Sequence, residues 1–71
     1  QVGHLMERVE EILPYLEDYL RLDPDNNEVR YSLAGSLYQL NRLEETREHL
    51  ERILQSDPEH QAGRELLDQI G

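Results

Sequence analysis

The segment Leu22-Asp23-Pro24-Asp25 recurs as Ser56-Asp57-Pro58-Glu59, which gives the chain an internal period of 34 residues. When the chain is aligned with itself at that offset, ten residue pairs are identical. The matches include both Asp-Pro boundaries and apolar positions such as Leu16 with Leu50. A period of this length is typical of proteins built from stacked helical repeats.

The chain is strongly acidic. Its 71 residues include 16 Asp and Glu against 7 Lys and Arg, for a net charge of −9. Binding to a phosphate backbone depends on basic side chains, so this balance argues against nucleic acid as a partner. All the basic residues are arginine. That bias fits either a GC-rich genome or a high-salt cytoplasm in which acidic surfaces keep proteins soluble, so a halophilic origin is one hypothesis.

The composition also limits compartment and size. The chain has no cysteine, which excludes disulfides, thiolate zinc sites and cysteine nucleophiles. No apolar stretch approaches the roughly 20 residues that cross a bilayer, and no signal-peptide pattern is present. We predict a soluble segment without membrane insertion, with the cytoplasm favoured but not decided. Because so small a domain buries only about 60% of its unfolded surface, we expect a piece of a longer protein.

Apolar stripes at helical spacing predict an all-α fold. The first stripe covers residues 2–22 and keeps its phase past Pro14, so we favour one helix bent at Pro14 over two helices that meet there. A capping box of Asp25 and Glu28 is predicted to start the second helix near Asn26.

The predicted third helix covers residues 43–55. Asn41 is expected to end the second helix in the left-handed conformation, and Ser56 with Glu59 is expected to form a capping box before the fourth. The residues expected to face inward are Val2, Leu5, Met6, Val9, Ile12, Leu13, Leu16, Tyr19 and Leu20 in the first helix, Val29, Leu33, Leu37 and Leu40 in the second, Leu43, Leu50, Ile53 and Leu54 in the third, and Ala62, Leu66, Leu67 and Ile70 in the fourth.

Residues capable of catalysis or metal binding lack the spacing that such chemistry needs. No two of His4, His49 and His60 lie four residues apart, the spacing that places two imidazoles on one helix face. Adjacent carboxylates on a helix point in different directions, and no phosphate-binding loop or catalytic triad is present. We predict that the chain is not an enzyme and has no catalytic residue, metal site or cofactor.

The period, the Leu33-Ala34-Gly35 segment and the two Asp-Pro boundaries together resemble the tetratricopeptide repeat family. This resemblance implies an antiparallel helix-turn-helix array of about four helices, a fragment of a superhelix, that forms a single domain over residues 1–71. Residues 1–22 would be the tail helix of a preceding repeat, 27–60 a complete repeat, and 59–71 the first helix of the next.

Three positions depart from the family pattern. The chain has Arg30 where the family often has Trp, Asn41 in place of the turn Gly, and Thr46 in place of the small Ala that opens the inner face of the following helix.

Four residues of the second helix form a candidate binding surface. Glu28, Tyr31, Gly35 and Tyr38 are spaced by three, four and three residues, so they share one helix face. In the family the corresponding positions line a concave groove that binds partner segments, and the resemblance implies the same role here, with Glu65 nearby. The alternative is that the two tyrosines cover a neighbouring helix.

The resemblance also bears on the chemistry of the partner. Family members that grip a C-terminal carboxylate use Lys, Arg and Asn in the groove, whereas the comparable positions here hold Tyr31, Ser32 and Gly35. Because Glu28 and Glu65 would repel an acidic tail, we expect a basic or neutral segment.

The function predicted on this basis is a protein-protein interaction scaffold within a larger repeat-containing protein. One alternative is a structural element that self-associates through exposed terminal helices, at Val2, Leu5 and Met6 on one end and at Leu66 and Ile70 on the other. A regulatory domain attached to a catalytic domain, without a partner groove of its own, is a further alternative.

Overall fold

The computed structural model describes the backbone of residues 2–70 and the side chains of residues 8–70. Four helices form the described chain: α1 (Val2–Leu22), α2 (Asn27–Gln39), α3 (Leu43–Ser56) and α4 (Gln61–Ile70). Each packs on the next, α1 on α2, α2 on α3 and α3 on α4. Helices joined by such short connections run antiparallel. The predicted all-α helical array is confirmed, with no strand in residues 2–70.

Helix α1 is continuous through Pro14. The proline is exposed, on the side of α1 away from the buried residues Leu13 and Leu20. The backbone carbonyl that loses its hydrogen bond at a proline can therefore be solvated. The prediction of one helix is confirmed over the alternative of two.

The two Asp-Pro turns have matching hydrogen bonds. The Asn26 N–H donates to the Asp23 carbonyl at 3.2 Å, and the His60 N–H donates to the Asp57 carbonyl at 3.0 Å. These residues are separated by the same 34 positions that relate the sequence to itself. The sequence period is therefore also a period of backbone geometry.

The N-cap of α2 differs from the prediction. Asn26 is the cap residue, and its Oδ1 accepts the Val29 N–H at 3.1 Å. The predicted capping box of Asp25 and Glu28 is wrong, because the helix begins one residue later, with Asn26 as its N-cap and Val29 as the donor three residues on.

The N-terminus of α4 is capped by a histidine. His60 Nδ1 accepts the Gly63 N–H at 2.9 Å, at the position equivalent to Asn26. The predicted capping box of Ser56 and Glu59 is wrong, because Ser56 is the last residue of α3 and its hydroxyl donates to the Ile53 carbonyl at 3.1 Å.

The turn between α2 and α3 is formed as predicted. Asn41 has a φ of 62°, the left-handed conformation that asparagine tolerates better than most residues. The next N–H, that of Arg42, donates to the Leu37 carbonyl at 2.9 Å and satisfies an acceptor at the end of α2.

Helix α2 separates two hydrophobic clusters. One cluster lies between α1 and α2, and the other joins α2 to α3 and α4. The first consists of Leu13, Leu20, Leu33 and Leu37 with Leu16, Val29 and Leu40 partly buried against it. The second consists of Ala34, Leu50 and Ile53 with Tyr31, Leu66, Leu67 and Ile70 partly buried against it.

Several residues predicted to face inward do not. Ile12 and Tyr19 are exposed because α2 packs on another side of α1, at Leu13 and Leu20. Leu43, the first residue of α3, is also exposed. Ala62 is also exposed, and Gly63 is buried beside it. Val2, Leu5, Met6 and His4 lie outside the residues whose side chains are described.

Candidate functional site

The predicted binding face lies along α2. Glu28 and Tyr38 are exposed, whereas Tyr31 and Gly35 are half-buried. Tyr38 retains 38% of its surface, enough to contact a ligand without opening the core. Helical geometry places these residues in one row.

Tyr31 belongs partly to the core. It packs against the second hydrophobic cluster, and its ring centroid lies 5.4 Å from that of His60, with the planes tilted by 44°. Its contact with His60 joins α2 to the beginning of α4. The two tyrosines of the face therefore differ, because Tyr31 supports the fold and Tyr38 is at the surface.

Gly35 leaves open space between the two tyrosines. A Cβ atom built at this position meets no heavy atom of the described chain within 4 Å, apart from its chain neighbours and the backbone of its own helix. Packing within the described chain therefore does not require a glycine at this position.

The two glutamates that the sequence assigned to this surface are both exposed. Glu28 on α2 and Glu65 on α4 are exposed, and Glu65 occupies the position equivalent to Tyr31 in the next period. The surface therefore combines aromatic contact area with negative charge.

Arg30 of α2 forms a hydrogen bond with His49 of α3 that the sequence did not indicate. The guanidinium of buried Arg30 donates to the Pro24 carbonyl at 2.9 Å and to His49 Nδ1 at 3.2 Å. It therefore fixes the loop before α2 and the middle of α3 together. The one sequence signal for this role is the identity of Arg30 and Arg64 at the 34-residue offset.

Burial dominates the electrostatics of this contact. Burial lowers the pKa of His49, and the neighbouring Arg30 charge lowers it further. Burial likewise lowers the pKa of Arg30, followed by the effect of Arg52, while Asp25 opposes both. A neutral imidazole that accepts a hydrogen bond from Arg30 therefore has a structural role, because it ties α3 to α2.

Thr46, at the family's small position, is fully buried. Its hydroxyl donates to the Arg42 carbonyl at 2.8 Å, so its polar atom is satisfied within α3.

Over residues 8–70, no three His, Asp or Glu side chains are grouped in a way that could hold a metal ion. No helix in the described part of the chain is both long and apolar enough to cross a membrane.

Comparison with known proteins identifies a family for the chain. The family model described as tetratricopeptide repeat matches residues 5–70. Neither the curated proteins nor the solved structures contain a match to this chain.

Proposed function

Because the chain belongs to the tetratricopeptide repeat family, we propose that it is a protein-protein interaction module within a larger repeat-containing protein. Residues 27–60 would form its one complete repeat. The matching hydrogen bonds of the turns at residues 23–26 and 57–60 support those boundaries.

The face of Tyr31, Gly35 and Tyr38 is the proposed partner site. The observation that carries this proposal is the open space at Gly35 beside the exposed Tyr38. Tyrosine supplies a rigid ring with a polar end, and it is enriched among residues that dominate binding energy. A gap flanked by such rings suits a segment with one apolar anchor.

The charge of the surface selects the partner. Glu28 and Glu65 are exposed, and the chain as a whole carries −9. Opposite charge speeds association and like charge excludes wrong partners. The proposed ligand is therefore a peptide with an apolar anchor surrounded by basic or neutral polar residues.

A peptide-display library tests this proposal. Selected peptides should combine an aliphatic or aromatic anchor with Lys or Arg, and Tyr38→Ala should weaken their binding about tenfold or more, as loss of a hot-spot aromatic does. Tyr15→Ala is the matched control, since Tyr15 is an exposed tyrosine on α1, away from this face. Selection of acidic peptides, or equal binding to both variants, would contradict the proposal.

Self-association through the terminal helices remains an alternative function. Leu66 and Ile70, on which it depends at the C-terminal end, are partly buried against the second hydrophobic cluster. Sedimentation that shows only a monomer at high protein concentration would contradict this alternative.

A further inference from the structure

His60 carries a hydrogen-bond donor beside Tyr31, a residue of the proposed partner site. The Nδ1 atom of His60 accepts the Gly63 N–H at 2.9 Å, so that nitrogen carries no proton. A neutral imidazole has one N–H group, and the nitrogen that accepts decides which one carries the proton. The cap of α4 therefore fixes the tautomer of His60, with Nε2 as the donor.

The Nε2–H group of His60 has no partner within the described chain. Among residues 8–70, the contact with Gly63 is the one hydrogen bond of this ring. In the same part of the chain, no buried side-chain nitrogen or oxygen of a residue that is not exposed lacks a partner. His60 is half-buried, so its unpaired nitrogen must be one that solvent reaches. Nε2 is therefore at the surface, although part of the ring is covered.

The equivalent cap, 34 residues earlier, uses its second polar group within the fold. Asn26 accepts the Val29 N–H through Oδ1, and its Nδ2 donates to the Asp23 carboxylate at 3.3 Å. The counterpart of Asp23 is Asp57, and the His60 ring makes no such bond to it. The spare donor is thus used by the turn before α2 and left available in the turn before α4.

Contact with Tyr31 holds the imidazole of His60 in place. The two ring centroids lie 5.4 Å apart with the planes tilted by 44°, and Tyr31 packs in turn against the second hydrophobic cluster. The imidazole is fixed both by the Gly63 N–H and by this ring. A donor that is already held in position loses little conformational freedom when a ligand binds, which favours affinity.

We propose that His60 determines specificity at the partner site, where its Nε2–H donates to an amide oxygen of the bound segment. The inference rests on the proposed function, because it needs a segment bound along Tyr31 and Tyr38. The net charge of −9 disfavours a carboxylate as the acceptor. The acceptor is therefore a neutral amide oxygen, which a backbone carbonyl or an Asn or Gln side chain supplies.

His60→Asn removes the imidazole donor and keeps the cap. Asparagine caps α2 at the equivalent position, so circular dichroism and melting should show an intact fold. Fluorescence anisotropy with the intact chain should show a peptide selected against the wild type binding about three- to tenfold more weakly, the effect of one lost hydrogen bond. Asn26→Ser is the matched control, since it alters the other cap and should leave the affinity unchanged.

Modified peptides identify the acceptor. Thioamide substitution of one peptide bond at a time weakens each backbone acceptor, and replacement of Asn or Gln by Leu removes each side-chain acceptor. One of these changes should weaken binding to the wild type and have no effect on binding to His60→Asn, which is the signature of a direct contact. If His60 only supports Tyr31, all the peptides should lose the same affinity on the variant, and that result overturns the proposal.

Tyr38→Ala separates failure of this inference from failure of the proposed function. If Tyr38→Ala weakens the selected peptide and His60→Asn does not, the partner site is correct and the role of His60 is wrong. If Tyr38→Ala has no effect, the peptide binds elsewhere on the chain, and both proposals are wrong.

Discussion

The imidazole of His60 packs at a tilt beside the ring of Tyr31, with the two centroids 5.4 Å apart, while its Nδ1 accepts the Gly63 N–H at 2.9 Å. One side chain thus caps α4 and holds its first turn against α2. A Cβ atom at Gly63 would come within 2.9 Å of the same Nδ1. The glycine and the histidine cap are therefore structurally coupled.

This coupling predicts a non-additive pair of substitutions. His60→Ala should lower the free energy of unfolding by about 1 kcal/mol, as loss of a cap does. With His60 removed, Gly63→Ala should recover up to about 1 kcal/mol through helix propensity. In the wild-type background the same alanine displaces the imidazole, so that gain should be lost. Urea unfolding of the four proteins measures the coupling, and an equal effect of Gly63→Ala in both backgrounds would contradict it.

Leu37 is predicted to be among the most sensitive positions. It is almost completely buried in the cluster between α1 and α2. Leu37→Ala should lower the free energy of unfolding by about 2–5 kcal/mol, the cost of a cavity in a packed core. Leu43→Ala is the matched control, because Leu43 is exposed and should cost much less. Thermal melts of both variants compare them, and similar midpoints would show that the buried face of α2 is wrongly assigned.

The sequence predicted the helical array but not every contact. The left-handed Asn41 followed from its position after an apolar stripe, since few residues tolerate that conformation. The prediction that Ile12 and Tyr19 are buried was wrong, because helical spacing shows that a face is apolar and does not show that a neighbour covers it. The cap by His60 was missed because histidine is not among the usual N-cap residues.

Substitutions at Gly35 should affect stability and partner binding differently. Since a Cβ built there would contact no other part of the described chain within 4 Å, Gly35→Ala should stabilise α2 by about 0.5–1 kcal/mol through reduced chain entropy. If a partner's backbone approaches this gap, a larger side chain such as Leu should block it while the helix stays folded. Melting midpoints and affinity for the selected peptides should therefore move in opposite directions. A gain in stability with no loss of affinity would show that the gap is not used.

Added salt distinguishes the two origins of the acidic composition. The Arg21–Asp18 pair is largely exposed and the Arg42–Glu45 pair about half exposed, so screening these two pairs by salt should cost little stability. Screening should reduce repulsion at a net charge of −9 and raise the melting temperature. For a halophilic protein the rise in melting temperature should continue into the molar range of KCl. If the composition instead reflects a GC-rich genome, the rise should stop once the charges are screened. A melting temperature that is flat or falling with KCl contradicts a halophilic origin.

Stability should also fall with acid through His49. Burial and then Arg30 lower the pKa of this imidazole, against the opposing charges of Glu48, Glu17 and Glu45. The unfolded chain, with an ordinary value of 6.5, therefore binds the proton first as the pH falls. The stabilisation is complete above 6.5 and is lost as the pH drops toward the lowered pKa of the folded state.

A variant isolates this contribution from the other titrating groups. His49→Gln keeps a polar side chain near Arg30 but cannot titrate, so it should remove this part of the pH dependence. The difference in unfolding free energy between wild type and variant should shrink as the pH falls below 6.5. Only the wild type has an imidazole at position 49, and its protonation is less favourable in the folded state than in the unfolded state. Urea unfolding at a series of pH values measures it. A difference that grows with acid would mean that the folded state favours the charged imidazole, and that Arg30 does not donate to His49.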